Sequence, residues 1–183
     1  MSQAHPCRRL DHVWSIRFAA ILLSDFAMTR SITTRTATEH DDAFLFALFK
    51  AVRSGEFAHA ALEPAQLDLL IGIQYAGQKQ SYGTQYPGGN SIVLLDGEPV
   101  GRIWLFRGPA EHHLVDVALM PEFQNRGIGS ILIAEAIAAA RSAGVRLCCS
   151  IALTNGASLR FHQRLGFQVV GHDEIYYDLA VYP

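Results

Sequence analysis

Apolar positions along the chain switch between two periods, and the switches mark the elements. Ser31 to Ala37 alternates and is rich in Thr and Ile, which predicts a first strand. Thr38-Glu39-His40-Asp41 reads as a capping box, after which Phe44, Leu45, Leu48, Phe49 and Val52 recur at helical spacing. They predict a helix over 39–53, stopped by Gly55. Pro64 suits the first position of a second helix, whose face carries Leu67, Leu70, Ile71, Gln74, Tyr75 and Gln78. That face begins apolar and ends polar and aromatic. Residues 75–90, rich in Tyr, Gln and Gly, read as a loop with a binding surface or as a solvated connector.

From Ile92 the period is two. Ile92 to Leu95 and Val100 to Arg107 form a hairpin about Asp96-Gly97. On the second strand Arg102, Trp104 and Phe106 share one face, and Ile103 and Leu105 the other. His112 to Leu119 is the next strand. Strict alternation puts His113, Val115, Val117 and Leu119 on one face and His112, Leu114, Asp116 and Ala118 on the other. A helix over 127–143 is apolar nearly all round, as a helix packed on a sheet should be, with Gly144 as its cap. Arg146 to Leu153 is a strand, and Asn155 opens a short helix with Leu159, Phe161 and Leu165 inward. Strands at Phe167–Val170 and Ile175–Val181 close the chain. This order predicts a mixed α/β fold: an antiparallel meander, a crossover helix and a parallel partner strand, with a central mixed sheet flanked by helices.

Composition narrows the classes. A chain of 183 residues, half of them hydrophobic, supports one domain over 31–183. Net charge is −2, which gives no electrostatic case for nucleic acid or an anionic membrane. No apolar run approaches the roughly 20 residues of a membrane span. Cys7, Cys148 and Cys149 lack metal-ligand spacing and read as reduced thiols of a cytoplasmic protein, with no metal. Residues 1–28 read as a poorly ordered or weakly helical extension. Arg8, Arg9 and Arg17 before Phe18–Leu23 keep a signal peptide as the minority reading, and Met28 offers an alternative start.

Chemistry enters at Val115–Gly129. A strand stops at Pro121, a polar turn follows, and a helix opens at Gly127. Unpaired N–H groups and the positive end of a helix dipole converge there, which suits a phosphate. A Walker loop fails because Ser130-Ile131 follows the second glycine, and a Rossmann loop fails because Leu132 holds the third glycine position. What remains is Gln124-x-x-Gly127-x-Gly129. This resembles the acetyl-CoA loop of the GNAT (Gcn5-related) N-acetyltransferases. The run Asn155-Gly-Ala-Ser-Leu-Arg-Phe-His-Gln-Arg-Leu-Gly166-Phe167 resembles the second signature of the same family, in the right order and on the expected element.

The resemblance implies a GNAT-like fold and an acetyl-CoA-dependent N-acetyltransferase acting by direct transfer in a ternary complex. It implies that the backbone at Leu119 and Met120 holds the pantetheine arm. Gln124, Asn125, Arg126, Gly127, Ile128, Gly129 and Ser130 would hold the pyrophosphate, and Asn155 and Ser158 would lie along the cofactor. His162 stands where relatives carry a tyrosine proposed to protonate the leaving thiolate; it is either that acid or a packing substitute. His113 is the first candidate for the base and Asp116 the second, on the opposite face and expected to pair with Arg102. Tyr75, Tyr82, Arg102, Trp104 and Tyr177 are candidates to line the acceptor side, each also readable as core. The acceptor would be an amine of a small molecule or peptide. Exposed strand edges of such a fold allow a homodimer. The alternative is a noncatalytic acyl-CoA-binding sensor that keeps the loop and has lost the chemistry.

Overall fold

The structure, a computed structural model, describes residues 31–53, 55 and 63–183. The readings made for residues 1–28 and for Cys7 lie outside the described residues. Its centre is a seven-stranded mixed sheet. In chain order the elements are β1 (Ile32–Thr36), α1 (Asp42–Arg53), α2 (Pro64–Gln85), β2 (Asn90–Leu95), β3 (Glu98–Arg107), β4 (Glu111–Leu119), α3 (Ile128–Ser142), β5 (Arg146–Ala152), α4 (Gly156–Arg164), β6 (Gln168–His172) and β7 (Tyr176–Val181). The strands lie in the order β1-β2-β3-β4-β5-β7-β6. Only β4 and β5 run parallel; the other neighbours are antiparallel.

The local rules of the sequence account for most boundaries. Asp96 (φ 54°) and Gly97 (φ 89°) make the tight β2–β3 turn, both with the left-handed backbone such a hairpin requires. Thr38 and Asp41 form the capping box ahead of α1, and Arg35 holds the Asp41 carboxylate at 2.8 and 2.6 Å. Glu63 and Gln66 form another ahead of α2, with Pro64 in the first turn.

Two expectations are corrected. The segment 75–90 is not a loop throughout, because α2 continues to Gln85 and closes with the Tyr86 N–H on the Tyr82 carbonyl at 2.8 Å. The side chains that suggested a binding loop recur at helical spacing instead: Tyr75, Gln78, Tyr82 and Tyr86 follow one another down the face turned to the sheet. Tyr82 packs edge-on against Trp104 at 5.4 Å, and Tyr86 meets Phe106 at 5.7 Å.

The second correction concerns β4. Trp104 pairs with Asp116 and Leu105 with Leu114, so Val115 is an extra residue, a bulge. Alternation therefore reverses at Val115. Leu114, Val117 and Leu119 all join the core beneath α3 and α4. His113, opposite Phe106, and Asp116, opposite Trp104, share the other face, the one under α1 and α2. Asp116 is thus on the face of His113, not across the sheet from it, and Leu119 is on the opposite face from both. The main core packs Ile128, Leu132, Ile133, Ala136 and Ile137 of α3 on β3, β4 and β5. A smaller one joins Leu45 and Phe49 of α1 to Ile71 and Tyr75 of α2 over Ile92.

Candidate active site

The bulge has a consequence for the neighbouring strand. β4 and β5 pair only at Glu111–Arg146, His112–Leu147 and His113–Cys148, and beyond that point they part. The backbone that would have bonded β5 is left facing an opening. On the other edge, the Met120 N–H donates to the Val100 carbonyl at 2.9 Å. Stepping back by two, Ala118 and Asp116 also turn their backbone toward β3, so Val117 and Leu119 turn theirs toward the opening. Met120 is engaged at both groups, since its carbonyl accepts from Phe123 at 2.8 Å. Of the Leu119–Met120 pair, Leu119 is the one that lines the opening.

Two cavities meet there. One of about 650 Å³ is lined by Val117 to Leu119, by Gln124, Asn125, Gly127, Gly129 and Ser130, and by Asn155, Ser158, Phe161 and His162. The other, of about 700 Å³, lies between α1, α2 and the sheet. Val52, Val117, Ala118, Asn155, Ser158 and His162 border both.

The first cavity is a backbone site. Asn125 (φ 57°) and Gly127 (φ 81°) turn the chain through the left-handed region, and Gly127 is the N-cap of α3. The Ile131 N–H bonds back to Gly127 at 3.1 Å, so Ile128, Gly129 and Ser130 carry the N–H groups that the helix leaves unpaired. A Cβ on Gly127 would meet nothing within 4 Å, so the glycine is needed there for its backbone angle. The Gln124 amide donates to the Leu119 carbonyl at 2.9 Å, tying loop to strand. Arg126 lies over the Phe123 ring at 5.3 Å, and the Ile128 side chain is buried in the core. Neither Arg126 nor Ile128 lines the cavity. Asn155 caps α4 by accepting from the Ser158 N–H at 3.0 Å.

His162 stands between the two cavities. Its Nδ1 is 2.9 Å from the Ser158 carbonyl oxygen and 3.3 Å from the Ser158 hydroxyl. A carbonyl can only accept, so Nδ1 carries the hydrogen, and the neutral ring keeps its lone pair on Nε2. Phe161 and Phe167 each meet the imidazole edge-on at 5.3 Å. Burial between these rings pushes its pKa below the ordinary value, against the opposing effect of the Ser158 carbonyl.

The second cavity is made of side chains from distant elements. Leu45, Leu48, Phe49, Val52 and Arg53 come from α1, Gln78 and Tyr82 from α2, Arg102 from β3 and Asp116 from β4. Arg102, only 5 % exposed, donates from Nε at 3.0 Å and from Nη2 to one oxygen of Asp116, and from Nη2 to Gln78 at 2.9 Å. Ser150 and Tyr176 line the far wall.

Several expected contacts lie elsewhere. Trp104 is buried, gives its indole N–H to the Tyr86 carbonyl at 2.9 Å, and lines neither cavity. Tyr75 is buried between Phe46 and Phe49, with its hydroxyl on Asp42 at 2.9 Å. Tyr177 packs on the core, and Tyr176 is the tyrosine of that strand at the cavity. His113 lies just before the strands part. It is stacked on Tyr86 at 4.9 Å, its pKa is lowered by burial, and it borders neither cavity. The cavity residues missed in the sequence, Phe49, Val52, Arg53, Ser150 and Tyr176, sit in runs that read as ordinary core or surface. Burial pushes the Cys148 and Cys149 thiols up to about 11 and about 12, which leaves them poor nucleophiles near neutral pH.

Comparison with known proteins places the chain among acetyltransferases by family and by fold. Residues 56–167 match the model of the Acetyltransferase (GNAT) family. Over 177 residues the chain is 27% identical to an uncharacterized N-acetyltransferase of Methanocaldococcus jannaschii, a match that spans 87% of this chain and 70% of that protein. Its fold resembles that of PaiA N-acetyltransferase of Thermoplasma acidophilum in complex with coenzyme A, with a TM-score of 0.64 at 18% identity over 84% of this chain and 99% of that one. A Pyrococcus horikoshii protein gives a TM-score of 0.63 at 14% identity, over 84% and 99% of the two chains.

Proposed function

The chain belongs to the GNAT acetyltransferase family, and on that premise we propose that it is an acetyl-CoA-dependent N-acetyltransferase acting by direct transfer to an amine. The observation that carries this reading is the opening beyond His113–Cys148, where a backbone-lined cavity and a side-chain-lined cavity share one border. A donor and an acceptor entering from the two sides meet at Val117, Ser158 and His162.

The residues fit the donor. The unpaired N–H groups of Ile128, Gly129 and Ser130 at the start of α3 suit a pyrophosphate, with Gly127 removing the side chain that would block it. Gln124, Asn125 and Arg126 complete the loop. The backbone of Val117 and the N–H of Leu119, turned away from β3, supply a strand edge for the pantetheine amides, and Asn155 and Ser158 border the same path. Acetyl-CoA supplies an activated thioester: the C–S bond breaks as the amide C–N bond forms, and the thiolate leaves with the electron pair. The Val117 N–H, turned into the opening, is placed to polarise a carbonyl.

The amine must lose a proton to attack, and the thiolate must gain one. His162 supplies the first service through its Nε2 lone pair. The neutral, Nδ1-protonated ring accepts a proton and can return it to the thiolate across the shared border. This reverses the role expected of the tyrosine it replaces, which begins protonated. His113 lies outside the cavities, and Asp116 serves through its pairing with Arg102.

The test is release of CoA thiol across a panel of amines, with CoA affinity measured separately by calorimetry. Thiol release that depends on an amine is the expected result. Tight CoA binding with no transfer to any amine contradicts it and favours a sensor.

A further inference from the structure

We infer that the acceptor is a zwitterion with an apolar body, an amine that carries its own carboxylate, of the size of a large apolar amino acid; this deepens, and rests on, the acetyltransferase reading. The argument starts from the ion pair in the wall of the acceptor cavity. Arg102 and Asp116 both line it, and neither is used up by the other. Arg102 spends Nε and Nη2 on a single oxygen, Oδ2, of Asp116 and on Gln78. Among the described residues, its Nη1 and the Oδ1 of Asp116 have no hydrogen-bond partner, and neither is a sealed buried atom. A buried guanidinium and a partly buried carboxylate thus each offer one unfilled edge to the same cavity.

Such a pair is the complement of a zwitterion. Oδ1 of Asp116 accepts from an ammonium, and Nη1 of Arg102 donates to a carboxylate, the pairing arginine performs best. The pair is anchored, because Gln78 on α2 fixes the Nη2 edge and the β3–β4 register fixes both Cα positions. Its orientation is therefore set before a ligand arrives, so little ordering cost falls on binding.

The rest of the lining selects the body of the ligand. Leu45, Leu48, Phe49 and Val52 give the α1 wall an apolar surface. Arg53, with its guanidinium 5.1 Å from the Phe49 ring, borders the same wall. A polyamine brings neither an apolar body for that wall nor a carboxylate for the Nη1 edge of Arg102. An uncharged-tail amine leaves the Nη1 edge of Arg102 without a partner once water is displaced, and a desolvated, unfilled charged group is costly.

The test uses the unaltered protein and three amines: L-phenylalanine, its decarboxylated counterpart 2-phenylethylamine, and spermidine. The inference predicts that kcat/KM for phenylalanine exceeds that for phenylethylamine by roughly 10- to 100-fold, the worth of a hydrogen bond to a charged group. Spermidine should be the poorest of the three. Asp116→Asn should raise KM for phenylalanine more than KM for phenylethylamine lacking the carboxylate, because it also loosens Arg102. Equal or better turnover of phenylethylamine or spermidine overturns the zwitterion inference and leaves the acetyltransferase reading standing. Thiol release on another amine of the panel but on none of the three overturns the zwitterion inference alone, and CoA binding without thiol release on any amine overturns both.

Discussion

The two cavities beside the β4–β5 opening are made of different materials. The side proposed for the donor is backbone: the N–H groups at the start of α3, the left-handed turn at Asn125 and Gly127, and the edge of Val117 and Leu119 that turns away from β3. The side proposed for the acceptor is side chain: Phe49 and Arg53 from α1, Gln78 and Tyr82 from α2, Arg102 from β3, Asp116 from β4 and Tyr176 from β7. A backbone site tolerates change in most of its side chains and fails at its glycines. A side-chain site keeps its fold under substitution and changes what it accepts. One fold can therefore hold its donor constant while its acceptor varies.

His162 is common to both sides, and its loss has the largest expected effect. His162→Gln should lower kcat by about 100-fold or more while CoA affinity stays nearly unchanged, read by stopped-time assays beside calorimetry. Its pH signature separates base from acid. In the proposed base role the neutral ring is the active form, and burial holds its pKa below the usual 6.5, so activity should fall as pH drops through that lowered value and hold on the alkaline side. A decline with rising pH that disappears in the variant would mean that the protonated ring is the working form. The same shift has a stability consequence of fixed sign. The unfolded chain binds the proton more readily, so this contribution is complete above about 6.5 and is lost as pH falls toward the folded value. Melting at pH 7.5 and pH 5 shows it.

Gly127→Val tests the donor side. A β-branched residue at φ 81° should cost about 1–3 kcal/mol and block the loop, raising the CoA dissociation constant well beyond any change in acceptor KM. An equal rise in both constants would mean that the two sides are not separate sites. Gln78→Leu tests the acceptor side, because it removes one anchor of Arg102 at 2.9 Å. Acceptor KM should rise about 5- to 10-fold, the size of an ordinary buried hydrogen bond, with CoA affinity untouched. The smallest effect belongs to His113→Ala. Stacked on Tyr86 and outside both cavities, it should leave kcat within about threefold and cost roughly 0.5–1.5 kcal/mol of stability. A kcat loss comparable to that of His162→Gln would restore His113 as the base.

The same contrast of materials explains what could be read from the chain. A backbone site depends on φ angles and helix starts, and these need glycine, proline and caps at fixed spacing; Gln124, Gly127, Gly129 and Asn155 display that spacing in plain letters. A side-chain site depends on which remote elements face one another, and no local pattern encodes it. The bulge at Val115 is the sharpest case. One extra residue reverses every later side chain of β4, and nothing in Leu114-Val115-Asp116 distinguishes it from regular alternation. Tyr75 and Trp104 misled for another reason: aromatic residues with polar handles serve a buried hydrogen bond as well as a ligand, and here they bond Asp42 and the Tyr86 carbonyl. The spacing of Tyr75, Gln78, Tyr82 and Tyr86 did carry the α2 extension, but Gly77 and Gly83 weakened the helical signal around it.

The central claim is that donor and acceptor occupy the opening together and that the acetyl group passes between them in one step. Initial rates over a matrix of acetyl-CoA and amine concentrations test it most directly. Double-reciprocal lines that intersect, with no release of thiol before the amine is added, are the predicted result. Parallel lines, or a burst of thiol from acetyl-CoA and protein alone, would mean that the acetyl group rests on the chain first and would contradict it.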